Sequence, residues 1–333
     1  MESEARVGII ANPASGKDVR RLVAYGSVFD NLEKANILRR ILLGLDAAGV
    51  NEVLIMPDTF GVGDKALGGI GRRGLRARVR FLEMRIGEGS SDSTTAASIM
   101  RSNGCGAIVV LGGDGTCRAV SRGCGDVPLV PVSTGTNNVF PAMVEGTTAG
   151  IAAGAVARGL STAYRRAKRL LLYVDGTLGD FALVDIALTD DQFVGARALW
   201  DMGHVRDVIC AIGEPAAIGL SAIAGCFKPF GRYESRAVHL RLAGPGAPCC
   251  ATVRAPVGPG LIEEVRIAGW TEIGPAGRVS AGRGPCAAAF DGERERLIKG
   301  GGRLEVELSL EGPLVVDIAG ALLEAQQSGL FSV

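Results

Sequence analysis

The chain has 333 residues, 47% of them hydrophobic and 21% charged, with a formal net charge of +1. That length predicts about two domains and a core large enough to need no disulfide or metal staple, and the composition excludes a mostly disordered chain. Near-neutral charge with 5% aromatics excludes a dedicated nucleic-acid binder, which needs a basic face and stacking rings.

The N-terminus carries Glu2 and Glu4 and enters a strand-like run by Val7, unlike a signal peptide. No uninterrupted apolar stretch approaches the roughly 20 residues of a membrane span. A soluble, cytoplasmic protein without a membrane partner is expected. Arg6 to Ala11 reads as a short buried strand ending in turn-rich Asn12-Pro13-Ala14-Ser15-Gly16-Lys17. A helix is predicted near 31–48, where Asp30 and Glu33 have capping-box spacing and Leu32, Ile37, Leu38, Ile41, Leu42 and Leu45 form one stripe. Strands follow at Glu52–Met56 and Arg78–Met84, then a helix over Ser91–Asn103 stopped by Gly104. Ala107–Leu111 and Leu129–Val132 are apolar strands that break into Gly112-Gly113-Asp114-Gly115-Thr116 and Ser133-Thr134-Gly135-Thr136-Asn137-Asn138. Apolar strands separated by helices predict a buried parallel sheet with right-handed crossovers.

After an Ala/Gly-rich helix near 147–159, Arg165, Arg166, Lys168 and Arg169 form a basic patch, read as a solvated face at a domain boundary. Beyond it, Leu170–Val174, Phe181–Leu188, Arg236–Leu242, Ala251–Ala255, Glu264–Ala268, Leu304–Leu310 and Leu314–Ile318 read as short strands between Gly/Pro turns, with one helix from about Glu214 to Gly225. The expected organisation is an α/β domain with a parallel sheet over 1–160 and a mainly β, sandwich-like domain over 161–318. Residues 319–333 are expected to pack back on the first domain.

The chemistry sits at the strand ends, where open α/β sheets bind ligands. In Gly112–Thr116 the glycines let backbone N–H groups approach a phosphate, and the following helix start favours negative charge. Asp114 would repel a bare anion, so its place there fits a carboxylate that holds Mg²⁺ or takes a proton from an attacking hydroxyl. Asn12–Lys17 is not a Walker A loop, since Ala11 stands where the first Gly is required. Its Asn12, Ser15, Gly16 and Lys17 can still line a phosphate site, as can Thr134, Gly135, Thr136, Asn137 and Asn138. Gly69-Ile70-Gly71-Arg72-Arg73-Gly74 fits a dinucleotide fingerprint but follows no strand; with Arg76, Arg78 and Arg80 it reads as a mobile basic loop. The eight cysteines have no C-x-x-C pair, and His204 and His239 are the only histidines. A zinc site or Cys-His nucleophile is poorly supplied, the cysteines read as small buried hydrophobes, and acid-base work falls to carboxylates.

Gly112–Thr116 with Asn12–Lys17 upstream resembles the superfamily of ATP-NAD kinases, diacylglycerol kinases and sphingosine kinases. Asp92-Ser93-Thr94-Thr95-Ala96-Ala97 before that loop, and Asn138-Val139-Phe140-Pro141 after it, look most like the acetoin catabolism protein X branch of the ATP-NAD kinase family. The resemblance spans nearly the whole chain, strongly in the first domain and more loosely in the second. It implies an NAD kinase/diacylglycerol kinase-like fold, ATP and Mg²⁺ as cosubstrate and metal, phosphoryl transfer assisted by Asp114, an acceptor in the cleft between the domains, and a homo-oligomer. Phe290-Asp291-Gly292-Glu293 resembles the late D-G-E of the lipid kinases and the D-G of NAD kinases, which makes Asp291 or Glu293 a candidate to orient the acceptor hydroxyl. Where NAD kinases carry an Asn-Glu pair for the NAD ribose, Val184 and Asp185 stand here. Where those enzymes have a hydroxyl-rich helix start, Glu214-Pro215-Ala216-Ala217 stands. The acceptor therefore stays open between NAD, NADP biosynthesis being the family reaction, and a smaller polyol or acetoin-related metabolite. A nucleotide or dinucleotide sensor without turnover, and a lipid kinase, are the alternative readings.

Overall fold

The computed structural model describes residues 4–15, 30–71, 74–87, 89–190 and 202–332. The first half alternates strand and helix: β1 (Arg6–Ala11), α1 (Asn31–Ala47), β2 (Glu52–Ile55), α2 (Val62–Gly68), β3 (Arg78–Phe81), α3 (Ser90–Ser102), β4 (Ala107–Gly112), α4 (Asp114–Ser121), β5 (Leu129–Ser133) and α5 (Gly146–Ala157). The Asp30 carboxylate accepts from the Glu33 backbone N–H and caps α1, and Gly104 follows α3 with φ +71°. Both helix ends are thus set by the residues that capping chemistry selects.

The second half adds β6 (Tyr164–Arg166), β7 (Arg169–Val174), β8 (Thr177–Ala182), β9 (Asp185–Thr189), β10 (Val205–Cys210), α6 (Leu220–Phe227), β11 (Ala237–Leu242), β12 (Ala251–Gly258) and β13 (Leu261–Ile273). It ends with β14 (Arg278–Arg283), β15 (Cys286–Phe290), β16 (Glu293–Ile298), β17 (Arg303–Ser309), β18 (Leu314–Val316) and α7 (Ile318–Gln327).

The strands form three sheets. The first runs β3-β2-β1-β4-β5-β18-β6, parallel from β3 through β18, with β6 antiparallel at the edge. Strand order reverses between β1 and β4, so their carboxyl ends flank the crevice of an open α/β sheet. The other two sheets are antiparallel: β12-β13-β11-β10-β9-β15-β16 and β14-β17-β7-β8. The fold is thus an α/β region with a parallel sheet followed by antiparallel β sheets. One core joins the two halves, running from Ile10, Ile108 and Val110 through Phe140 to Ile186, Phe290 and Leu304. On the opposite face of the parallel sheet, α1, α2, α5 and α7 cover a second core, and α7 packs on α5. Among the described residues no helix is long and apolar enough to cross a membrane.

Several elements depart from the sequence expectation. Phe181–Leu188 is not one strand. β8 ends in one antiparallel sheet at Ala182 and β9 begins in the other at Asp185, so the chain changes sheets at Leu183–Val184. The helix expected from Glu214 starts only at Leu220; Ile218 and Gly219, just before it, line a cleft. Arg78 and Arg80 belong to β3, where Arg80 pairs with Glu52, so they are not part of a basic loop; Arg72 and Arg73 lie outside the described residues. Of the cysteines, Cys226, Cys249 and Cys250 are exposed and the other five are buried.

The basic patch is a further correction. Lys168 is buried, and its ammonium donates to the carbonyls of Gly231, Glu234 and Arg236 at 2.9, 2.7 and 2.6 Å. Burial pushes this amine down to about 8. Lys168→Met removes a buried ammonium that donates to three carbonyls and is expected to lower unfolding free energy at neutral pH by roughly 2–3 kcal/mol. Because the unfolded lysine holds its proton to about 10.5, the unfolded wild-type chain binds more protons between pH 8 and 10.5, and wild-type stability gains over the variant as pH rises through that window. Urea titrations of both proteins at pH 7.5 and pH 10 check the size and the sign.

Candidate functional site

Three loops meet at the switch point of the parallel sheet. After β1, the Asn12 amide donates to Thr116 Oγ1 at 2.9 Å, and its carbonyl oxygen Oδ1 accepts from the Ala14 N–H. Ser15 Oγ donates to the Asn12 carbonyl at 2.7 Å and lies 2.9 Å from Thr134 Oγ1. Since the one Ser15 proton goes to the carbonyl, Thr134 is the donor between the hydroxyls. Beneath this loop the buried Lys34 ammonium, on α1, donates to the carbonyls of Asn12, Pro13 and Ser15. Gly16 and Lys17 lie outside the described residues.

After β4, Gly113 caps α4 and Asp114 is its first residue. Asp114 Oδ1 accepts from the N–H of Val139 at 3.0 Å and of Phe140 at 2.7 Å, and Oδ2 from Val139 at 3.1 Å. A Cβ on Gly112 would meet the Thr116 side chain at 2.5 Å, and one on Gly113 would meet Asn138 Oδ1 at 2.7 Å. Packing alone therefore requires both glycines. A Cβ on Gly115 would meet nothing within 4 Å, which leaves open space at the start of α4, where the helix dipole favours an anion.

After β5, Thr134 is fully buried, its N–H donating to the Gly112 carbonyl. It therefore shapes the crevice from behind. The Asn138 amide donates to Ser133 Oγ at 2.8 Å and to the Gly135 carbonyl, which ties the turn closed. Thr136 is exposed and donates to the Asn137 amide oxygen, and Asn137 lines the cleft.

The facing wall comes from the antiparallel sheets. Asp185 opens β9, and Asp291 sits on the β15–β16 turn with φ +52°, followed by Gly292 at φ +80°. Asp291 Oδ1 accepts from the backbone N–H groups of Leu183, Val184 and Asp185 at 3.0, 2.8 and 3.4 Å, and its own N–H donates to the Asp185 carbonyl. Its Oδ2 lies 3.3 Å from Arg118 Nε, on α4. Burial drives this carboxyl well up, Arg118 pulls it down, and Asp185 and Asp114 push it up again. Asp291 Oδ1 thus holds the corner where the chain changes sheets. Glu293 opens β16, and its side chain lies outside the described residues.

Asp114, Asp185 and Asp291 line one cleft, together with Val139, Ile218, Leu220 and Val257. Among the described residues no three His, Cys, Asp or Glu side chains gather as a metal cage. Among those residues, then, none form a cage for a metal held by protein alone. Mg²⁺ carried on nucleotide phosphates would fit, because it needs only one or two protein carboxylates, and Asp114 stands at the start of α4. Gly115→Ala is expected to keep or slightly raise stability, since Ala suits a helix better than Gly by up to about 1 kcal/mol, while weakening nucleotide binding at least about tenfold by filling the open space. Calorimetric titration with Mg-ATP beside a thermal melt separates the two effects.

Sequence reasoning found Asp114, Asp185 and Asp291 but not Lys34, which holds the loop after β1, Arg232, which holds the loop after β5, or Arg118, which pairs with Asp291. Arg118 lies one helical turn after Asp114 and so shares its face of α4, the one local hint available. No local pattern links it to Asp291.

The sequence matches the family described as the ATP-NAD kinase N-terminal domain over residues 7–160, and that described as the acetoin catabolism protein X C-terminal domain over residues 168–311. It is 39% identical to Acetoin catabolism protein X of Cupriavidus necator over 336 aligned positions, covering 96% of this chain and 92% of the relative. A crystal structure from Bacillus anthracis described as a candidate diacylglycerol kinase superposes with a TM-score of 0.44 at 13% identity, over 95% of this chain and 97% of that one. With an ATP-NAD kinase N-terminal domain joined to its own type of C-terminal domain, the chain belongs to the acetoin catabolism protein X family, a branch of the kinase superfamily.

Proposed function

We propose that this protein is an ATP- and Mg²⁺-dependent kinase that phosphorylates a hydroxyl of a small, uncharged acceptor. The observation that carries the reading is the place of Asp114: at the switch point of the parallel sheet, first in α4, and lining the cleft with Asp185. The triphosphate would lie against Gly113–Thr116, where Gly115 leaves room for it and the start of α4 attracts it. Asn12, Ser15, Gly16, Lys17 and the 134–138 turn would border the nucleotide, and Mg²⁺ bound to the phosphates would neutralise their charge beside Asp114. The acceptor hydroxyl would sit between Asp114 and Asp185. Asp114 would take its proton as the oxygen bonds to the γ-phosphorus and ADP leaves.

The acceptor class follows from the walls of the cleft. Asp114 and Asp185 on the cleft wall disfavour an anionic acceptor such as NAD, whose pyrophosphate needs cationic or backbone N–H partners. Val139, Ile218, Leu220 and Val257 favour an apolar carbon skeleton. A short neutral diol or hydroxyketone meets both conditions. The test is mass spectrometry of ADP and phosphorylated product after incubation with Mg-ATP and, separately, neutral diols and hydroxyketones, NAD, and anionic hydroxy acids. Product from a neutral acceptor is expected. Preferential formation of NADP would overturn the acceptor class, and ADP at background with every acceptor would overturn the kinase reading in favour of a nucleotide sensor.

A further inference from the structure

We infer that Arg232 is a positioning residue for Asp114, acting through the peptide unit between Val139 and Phe140. Arg232 lies in the segment between α6 and β11, on the antiparallel side of the molecule, and reaches across to the loop after β5. Its Nη2 donates to the Val139 carbonyl at 2.9 Å and to the Phe140 carbonyl at 2.5 Å, and its guanidinium stacks over the Phe140 ring at 4.5 Å. The N–H groups of the same two residues donate to the Asp114 carboxylate. The Val139 carbonyl and the Phe140 N–H belong to one peptide group. A cation therefore binds its oxygen while an anion binds its hydrogen, and each bond polarises the peptide in favour of the other.

Both ends of this clasp are anchored. Phe140 is fully buried, so the ring under the guanidinium cannot swing away. The backbone that carries Arg232 is tied down by Lys168, whose ammonium donates to the carbonyls of Gly231, Glu234 and Arg236, and by Glu234 Oε1, which accepts from the Gly231 N–H at 2.7 Å. The path runs from the start of the antiparallel region through one loop to the carboxylate at the start of α4. The Asn138–Phe140 turn is thus shaped by the opposite half of the chain, and the direction in which Asp114 faces the cleft depends on it. The catalytic consequence rests on the kinase reading; the mechanical one does not.

The test uses the full-length protein with Arg232→Met, Arg232→Lys, Asp114→Ala and the double variant Arg232→Met/Asp114→Ala. Amide hydrogen exchange at Val139 and Phe140 is followed by NMR without ligand. Each single loss of a clasp partner is expected to speed exchange at least about tenfold, and the double variant to exchange within about twofold of the faster single one, as groups bound to one shared peptide must. Arg232→Met exchange within twofold of wild type, or effects that multiply in the double variant, would overturn the inference. Where the kinase reading stands, Arg232→Met lowers kcat about 10- to 100-fold through misplacement of the carboxylate and leaves KM for ATP within about threefold. Arg232→Lys, which loses the planar guanidinium stacked on the Phe140 ring, recovers only part of kcat. An equal rise in KM with kcat unchanged would instead make Arg232 a nucleotide contact. Failure to find any phosphorylated product sinks the kinase reading alone, since the exchange experiment decides the clasp without turnover.

Discussion

Asp114→Asn is expected to lower phosphoryl transfer by about 10²- to 10⁴-fold, the usual worth of a general base, while changing folding stability by no more than about 1–2 kcal/mol. The separation follows from the geometry. The amide keeps an oxygen that can accept from the Phe140 N–H now held at 2.7 Å, so the turn after β5 stays in place. What disappears is the charge at the start of α4 and the ability to take a proton. Steady-state rates with the acceptor that supports turnover, beside a thermal melt, check both halves. A variant within threefold of wild type would remove Asp114 from the chemistry. Equal losses of stability and activity would make it a structural cap.

Arg118→Met is expected to cost about 3–5 kcal/mol of stability, the largest effect of any single side chain near the site. Arg118 and Asp291 are both buried, and their ion pair at 3.3 Å joins α4 to the corner at Leu183–Val184. Taking one partner away strands a charge where water cannot reach it. The contact of the guanidinium with the Phe290 ring and its hydrogen bond to the Phe181 carbonyl go with it. The pH dependence has a definite sign. Burial already drives the Asp291 carboxyl well above its ordinary 3.8, and without Arg118 it rises further. A carboxyl raised in the folded state destabilises above its unfolded pKa, so the deficit of the variant grows as pH rises and shrinks as acid protonates Asp291.

Asp291→Asn added to Arg118→Met is expected to recover most of the loss. The amide oxygen still accepts from the N–H groups of Leu183 and Val184, and no charge is left unbalanced. Urea midpoints of the two single variants, the double variant and wild type at unchanged m-value measure the coupling. Additive losses would show that the pair is incidental to the fold.

Local pattern already carried much of this protein. The apolar runs of β1, β4 and β5, the capping of α1 by Asp30 and the stop of α3 at Gly104 depend on residues within one turn of each other, so their period and caps are visible in sequence. The Gly112–Thr116 loop was legible in part for the same reason: a Cβ at Gly112 would meet Thr116, four positions on, whereas the contact that excludes one at Gly113 comes from Asn138, in the next loop. Carboxylates as the candidate acid-base groups followed from the scarcity of histidine alone.

Tertiary structure decided what those residues face. Phe181–Leu188 looks like one strand because every side chain in it can be buried. The corner at Leu183–Val184 exists because a carboxylate more than a hundred positions later accepts the N–H groups that a continuous strand would have paired with a neighbour. Lys168 looked like part of a solvated basic face, since nothing nearby in sequence foretells that carbonyls some sixty residues on would bury its ammonium. Arg118, Arg232 and Lys34 went unnoticed on the same ground. Each is a lone cation in an ordinary helix or loop, and its partners are backbone carbonyls or a single distant acid. Hydrophobic periodicity is a property of neighbours and survives in the sequence. The pairing of a buried charge is a property of whatever the fold places beside it, and only the folded chain fixes that.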